Sequence, residues 1–186
     1  MKKKLFVIAI IAVCLSIIAY GTTAFFTYEE KAINIISTSG IDIDLLEWTI
    51  TEDGSLIPFE DVIGVVPATE VPKIVEIKNT GEQPVWVRIM VQKSIILAEG
   101  VDGEIDLSLV SMDINTSDWT EIDGYYYYNK ALNPDETTSP LFTKVMFDKN
   151  MSNMYQDSAA VVEVTAQATQ TAHNGESAFE AMGWPN

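Results

Sequence analysis

The sequence predicts an all-β fold of antiparallel strands, arranged as a sandwich or a barrel. Segments of strand length run through the chain, and apolar and polar residues alternate within them, most cleanly over residues 85–92. Turn residues such as Gly, Asn, Asp and Pro separate these segments. A helical pattern is confined to residues 175–184. Many short strands divided by turns are typical of two-layer β folds, because parallel sheets need long crossovers between their strands.

Two connections predict how neighbouring strands pair. Asp123-Gly124 favours the tight turns of β-hairpins, so we expect the strands on either side of it to form one. The turn at residues 79–84 predicts a second hairpin. Four consecutive tyrosines, residues 125–128, are expected to place two rings inward and two outward. We predict strands over residues 32–36, 40–50, 73–78, 85–92, 105–114, 119–122, 125–130, 141–147 and 159–171.

The N-terminus has the three parts of a secretory signal peptide. Residues 2–4 are all lysine, residues 5–20 are predominantly apolar, and small side chains follow. The apolar run is shorter than the roughly 20 residues that cross a bilayer as a helix. We therefore expect a signal helix that a signal peptidase removes between Ala24 and Phe25. This divides the chain into a cleaved signal, 1–24, and one exported domain, 25–186. An uncleaved membrane anchor is the alternative.

The exported chain is strongly acidic. Removal of the three lysines leaves 8 Lys and Arg residues against 27 Asp and Glu residues, a net charge of −19. Such a charge repels nucleic acid and anionic membrane surfaces, so we exclude nucleic acid as a partner and expect membrane contact only through the signal. The single cysteine, Cys14, lies within the signal. Disulfides therefore contribute nothing, and about 160 residues are enough for one core without them.

The residue patterns of the common hydrolases are missing. His173 is the only histidine, so a zinc site of the H-E-x-x-H type cannot form, and no G-x-S-x-G motif is present. The surroundings of His173 indicate an exposed turn. We therefore expect that the protein is not an enzyme and has no catalytic residues.

Metal binding through oxygen ligands is weakly indicated. Asp102, Glu104 and Asp106 alternate near a turn, and Asp42 and Asp44 repeat that spacing. Carboxylates at alternate positions of a strand share one face and can hold calcium together. Neither stretch matches the twelve-residue calcium loop, and carboxylates on a strand face are usually solvated. Calcium is thus the one cofactor that the sequence leaves open.

The segment that follows the signal is the strongest candidate for assembly. It is apolar enough to pack, and it lies at the chain end that detaches most easily. It can form the first strand of its own sheet, or residues 25–39 can act as a donor strand that completes the sheet of the next subunit. Head-to-tail exchange of this kind does not close and builds fibres. The residues expected to pack are Phe25, Phe26, Tyr28, Ile33, Ile35 and Ile36.

Several segments together resemble the TasA/camelysin-type family of exported Gram-positive proteins, which use a SipW-type signal peptidase. Each segment is weakly specific alone, and the likeness extends over most of the chain. The segments are residues 21–26 (Gly-Thr-Thr-Ala-Phe-Phe), 77–81 (Ile-Lys-Asn-Thr-Gly), 85–88 (Val-Trp-Val-Arg), 133–134, 138–142, 164–170 and 182–184.

The resemblance implies a jelly-roll-like or Ig-like antiparallel β-sandwich. It also implies a protein secreted to the extracellular matrix or cell surface, where it self-associates into biofilm matrix fibres, in contact with other matrix proteins. A monomeric cell-surface module that binds calcium or carbohydrate is the alternative. A secreted peptidase ranks third, because camelysin-like proteins have been labelled metallopeptidases.

Overall fold

The computed structural model describes residues 35–36, 41–60 and 62–185, and these form mostly antiparallel β-sheets, as the sequence predicts. Within them, helix is limited to two single 3-10 turns, Leu107–Leu109 and Asn153–Tyr155. The strands are β1 (Ile35–Ile36), β2 (Ile43–Ile50), β3 (Leu56–Pro58), β4 (Val62–Gly64), β5 (Glu70–Pro72), β6 (Ile74–Asn79), β7 (Val85–Ile96), β8 (Val110–Met112), β9 (Trp119–Ile122), β10 (Tyr125–Tyr128), β11 (Lys144–Phe147) and β12 (Ala159–Gln170).

Several sequence predictions fall outside the described residues. They are the signal helix over 1–24 and the cleavage site between Ala24 and Phe25. The assembly residues Phe25, Phe26, Tyr28 and Ile33 also lie outside them.

The largest sheet has six strands, in the order β1-β12-β7-β10-β9, with β4 also paired to β12. Its centre is the antiparallel pair of β7 and β12, whose register runs over twelve residues from Val85 opposite Gln170 to Ile96 opposite Ala159. The strand β10 flanks β7 on its other side. This sheet therefore joins the middle of the chain to its C-terminal strand.

Two three-stranded sheets, β3-β2-β6 and β5-β11-β8, complete the fold. The segment before β11 runs beside β6 and links them. Leu141 N donates to Val75 O at 2.8 Å, and Val75 N donates to Phe142 O at 3.2 Å. The same chain then enters β11, which pairs with β5. Hydrogen bonding therefore continues from one small sheet into the other.

One hydrophobic cluster draws on all three sheets, which makes the fold sandwich-like. Alternate residues of β7 and β12 face it, as the period of two predicts. Buried residues of β2, β6 and β11 meet them. The cluster includes Ile43, Leu45, Val75, Ile77, Val85, Val87, Ile89, Trp119, Phe142, Val145, Phe147, Val162, Val164, Ala166 and Ala168.

The predicted hairpin across residues 79–84 is wrong, because the two strands belong to different sheets: β6 pairs with β2, and β7 pairs with β12 and β10. The buried amide of Asn79 organises this crossing. It donates to Gln83 O at 2.8 Å and to Leu132 O at 2.9 Å, and its oxygen accepts from Gly81 N. Gly81 fits closely here, since a Cβ would lie 3.0 Å from Asp42 N and would press on that backbone.

The other predicted strands are present in the structure, most of them with different first or last residues. The hairpin at Asp123-Gly124 is confirmed, and both residues have positive φ, 52° and 80°, as a tight primed turn requires. Residues 105–114 contain a strand only at Val110–Met112. Before it, the Asp106 carboxylate accepts from Ser108 N at 2.9 Å and caps the 3-10 turn, so the extended backbone is interrupted.

Replacing Asn79 by Ala should destabilise the fold. Asn79→Ala removes two donors to buried or partly buried carbonyls, so we expect the free energy of unfolding to fall by about 2–3 kcal/mol. Urea denaturation followed by tryptophan fluorescence measures the change. Asn150→Ala, at an exposed turn, is the matched control and should change stability by less than about 0.5 kcal/mol. Equal stability of the two variants would contradict the role given to the Asn79 amide.

Candidate assembly edge and aromatic face

The outer edge of β12 is a candidate site for adding a strand. On this edge, β4 pairs antiparallel with residues 159–161, and β1 pairs parallel with Ala166 and Gln167. Between these two pairings, the described residues add no strand to β12. The edge is therefore covered in part by a short strand from near the N-terminus.

The strand β1 pairs with β12 in a parallel ladder. Among the described residues this ladder involves Ile35 and Ile36. Parallel ladders are slightly less stable per residue than antiparallel ones such as the pairing of β7 with β12. Because such a ladder is made of main-chain hydrogen bonds, an equivalent strand of another molecule could form it as well. The sequence prediction that Ile35 and Ile36 form a strand is confirmed for the chain's own sheet.

The face of the six-stranded sheet that points away from the main core carries a cluster of four side chains. We call it the aromatic face, and its members are Trp86, Arg88, Tyr125 and Tyr127. The Arg88 guanidinium carbon lies 3.9 Å from the centre of the Tyr125 ring. Its Nε donates to Gln167 Oε1 at 2.7 Å, and its Nη1 donates to the Tyr127 hydroxyl at 3.0 Å. The only arginine of the chain is thus held by both stacking and hydrogen bonds.

Residues 174–184, here called the C-terminal strap, cover the aromatic face. Trp184 lies 4.6 Å from the Arg88 guanidinium and meets the Tyr127 ring edge-on at 5.8 Å. Ala178 and Ala181 are buried against the sheet. Trp86 Nε1 donates to Asn174 O at 3.2 Å. The strap makes a single turn, in which Ala181 N donates to Ser177 O, in the stretch where the sequence predicts a short helical turn.

The tyrosine run divides as the sequence predicts. Tyr126 and Tyr128 pack with the core, and Tyr125 and Tyr127 lie on the aromatic face. Sequence patterns do not predict the cluster around Arg88, because its members come from three distant parts of the chain. The one local signal was the alternation of Trp86 and Arg88 with the core valines.

A buried ion pair was also missed. Lys73 is fully buried, and its Nζ lies 2.7 Å from Glu47 Oε1 and 4.0 Å from the centre of the Phe59 ring. Glu47 lies on the same side of β2 as the buried Leu45, and Lys73, directly before β6, alternates with the buried Val75. Removing one partner of such a pair usually destabilises strongly, because it leaves a buried charge.

The residues considered for catalysis or metal binding are not assembled into a site. His173 is exposed in a turn, with φ 57°. Asp102, Glu104 and Asp106 are exposed. Within the described part of the chain, no three His, Cys, Asp or Glu side chains are grouped as ligands for a metal ion.

Two aspartates stabilise the ends of strands as carboxylates. Burial raises the pKa of Asp113, but hydrogen bonds from Thr143 and the Lys144 amide outweigh it and leave the pKa below the ordinary value. The pKa of Asp118 is lowered by the Ser139 hydroxyl, which donates at 2.7 Å, and by Lys130.

Comparisons with known proteins give no relative: no family model, no curated protein and no solved structure matches the chain. Among the described residues, no helix is long and apolar enough to cross a membrane.

Replacing Arg88 by Met should loosen the aromatic face. Arg88→Met keeps the apolar stem but removes two hydrogen bonds and the stacked charge, so we expect the free energy of unfolding to fall by about 1–3 kcal/mol. Urea unfolding provides the measurement. The control is Lys149→Met, which removes the same charge at an exposed turn. A loss of stability no larger than that of the control would mean that Arg88 adds nothing to the cluster.

Acid should destabilise the protein partly through Asp113. Its pKa is lower in the folded chain than in the unfolded chain, so its contribution is complete above about pH 4 and is lost as the pH falls through the folded value. Melting temperatures between about pH 6 and pH 2.5 test this. Asp113→Asn should be less stable at pH 6 and should lose less on acidification, whereas Asp102→Asn, an exposed control, should behave like wild type. Identical acid profiles for wild type and Asp113→Asn would contradict the assignment.

Proposed function

We propose that this chain is an exported structural protein that assembles into extracellular or biofilm matrix fibres by β-strand exchange. Its body would be a jelly-roll-like or Ig-like sandwich, the signal would be removed by a signal peptidase, and other matrix proteins would be its neighbours. The observation that carries the proposal is the pairing of β1 with β12. Ile35 and Ile36, from near the N-terminus, occupy an edge of the largest sheet through a parallel ladder, which is the less stable kind of strand pairing.

Exchange would keep this register and change only the molecule that supplies the strand. The donor segment of one subunit would pair with Ala166 and Gln167 of the next, through the same main-chain hydrogen bonds. Each subunit would then use one surface to give and a different surface to receive. Such an interface is heterologous and propagates as a fibre.

The net negative charge of the subunits predicts that assembly depends on pH. Subunits that each carry about −19 repel one another at neutral pH, and protonation of exposed carboxylates weakens this repulsion. We therefore expect assembly to be favoured as the pH falls toward about 4, while the domain is still folded.

Electron microscopy of the exported chain, residues 25–186, tests the proposal. Concentrated at several pH values, this chain should form ordered fibres, and a chain that lacks residues 25–39 should stay monomeric because it has no strand to donate. Urea unfolding of the shortened chain shows whether its domain is intact. Fibres that persist without residues 25–39 would rule out the mechanism. A full exported chain that remains monomeric throughout would favour the surface binding module instead.

Single cysteines detect the exchange directly, since the exported chain has none of its own. Ile35 and Ala166 are opposite each other in the ladder. A mixture of the Ile35→Cys and Ala166→Cys variants, oxidised after assembly, should give disulfide-linked pairs of the two different chains. Asn150→Cys, at an exposed turn, replaces Ala166→Cys as the control and should not pair with Ile35→Cys. Closure of the disulfide only within the double variant would show that β1 stays in its own sheet.

A further inference from the structure

The side chain of Asn174 fastens both ends of the C-terminal strap. Its Nδ2 lies 2.9 Å from both Gln170 O and Met182 O, and 3.1 Å from Thr169 Oγ1. Its Oδ1 accepts from Met182 N at 2.8 Å. The amide thus uses its donor and acceptor sides together. It joins the end of β12 to Met182, which lies eight positions after Asn174 itself.

The residue after Asn174 must be glycine. Gly175 has φ +74°, a conformation that other residues rarely adopt, and a Cβ there would lie 3.0 Å from the carbonyl carbon of Glu180. Asn174-Gly175 is the only Asn-Gly pair in the sequence. In such a pair no side chain shields the glycine nitrogen from the asparagine side chain. The backbone conformation of the strap therefore favours glycine at position 175, and glycine is the following residue that makes an asparagine side chain most reactive.

We propose that Asn174 is a site of spontaneous deamidation and that this reaction irreversibly unfastens the strap. The Gly175 nitrogen attacks Cγ of Asn174, the new N–C bond closes a succinimide ring, and Nδ2 leaves as ammonia. Water then opens the ring at either carbonyl. The product is aspartate or isoaspartate at position 174, with one added negative charge.

The product cannot make the contacts of the amide. A carboxylate is an acceptor only, so it has no hydrogen to give to the carbonyl oxygens of Gln170 and Met182 and repels both. Isoaspartate also adds a carbon to the main chain at Gly175, where the backbone of Glu180 leaves little room. The strap then loses the hydrogen bonds donated by Nδ2 and opens more often, which exposes Trp86 and Tyr127 beneath Ala178, Ala181 and Trp184.

The fastened state protects the amide against this reaction. Contacts on both sides of the Asn174 side chain oppose the rotation that would bring Cγ to the Gly175 nitrogen. Reaction therefore proceeds from molecules whose strap has opened locally, and its rate reports how often the strap opens. The chemistry needs only water, which an exported protein meets throughout its lifetime.

Ageing the exported chain at mildly alkaline pH tests the site, with peptide mapping by mass spectrometry as the readout. Asn174 should be the first asparagine to deamidate. Its deamidation should be at least about ten times slower in the folded chain than in the urea-unfolded chain, since each factor of ten in rate needs only about 1.4 kcal/mol of protection. Survival of the Asn174 amide in the unfolded chain, or equal rates in the folded and unfolded chains, would overturn the proposal.

Hydrogen exchange tests the consequence for the strap. In Asn174→Asp, the carbonyls of Gln170 and Met182 lose their donor, so the strap should open more often. The backbone amides of Glu180 and Ala181, which donate to Ser177 O within the strap, should then exchange at least about ten times faster than in wild type. Asn150→Asp adds the same charge at an exposed turn and should leave the strap unchanged. The aged wild-type chain gives the same comparison without any substitution. Unchanged strap protection in Asn174→Asp and in the aged chain would overturn the unfastening.

Discussion

The fold depends above all on the pairing of β7 with β12. Twelve residues on each strand lie in one register, and alternate positions decide which side chains enter the core. A shift of one residue would bring Arg88 and Gln167 to the position of Val87 and Ala168, and bury charge where the core is apolar. This cost sets the register without help from any turn, since 62 residues separate the end of β7 at Ile96 from the start of β12 at Ala159.

Buried polar groups then determine where the chain leaves the core. Asn79 ends β6 and directs the backbone into the other sheet by binding the carbonyl of Leu132, which lies 53 residues further along the chain. Lys73 and Glu47 form an ion pair beside the Phe59 ring, where the two small sheets meet. Each arrangement is costly unless every partner is in place, so each opposes alternative strand orders.

The sequence predicts those features whose causes are local. Asp123-Gly124 sets its own turn conformation, so the hairpin of β9 and β10 follows from two residues. The crossing at Asn79 has a partner far away in the sequence, and the same turn residues therefore predicted the wrong pairing. In the stretch before Val110, the Asp106 side chain competes with the extended backbone, which alternation alone does not reveal. The aromatic face needs Arg88, Tyr127 and Trp184 together, and only the sheet register and the strap bring them into contact.

Both chain ends add to a sheet that is already complete at its centre. The strand β1 lies on the edge of the six-stranded sheet and the strap on its face, so neither contributes to the pairing of β7 with β12. Lowering the pH affects the hydrogen-bonded carboxylates of Asp113 and Asp118 differently from other carboxyl groups. Hydrogen bonds hold the pKa of Asp113 and of Asp118 below the ordinary value, so both carboxylates keep these contacts to a lower pH than an ordinary aspartate would. Glu76 shifts the other way, because burial raises its pKa and it is protonated early. For the proposed fibre, a pH low enough to weaken the repulsion between subunits and high enough to keep these hydrogen bonds would favour exchange of the edge strand.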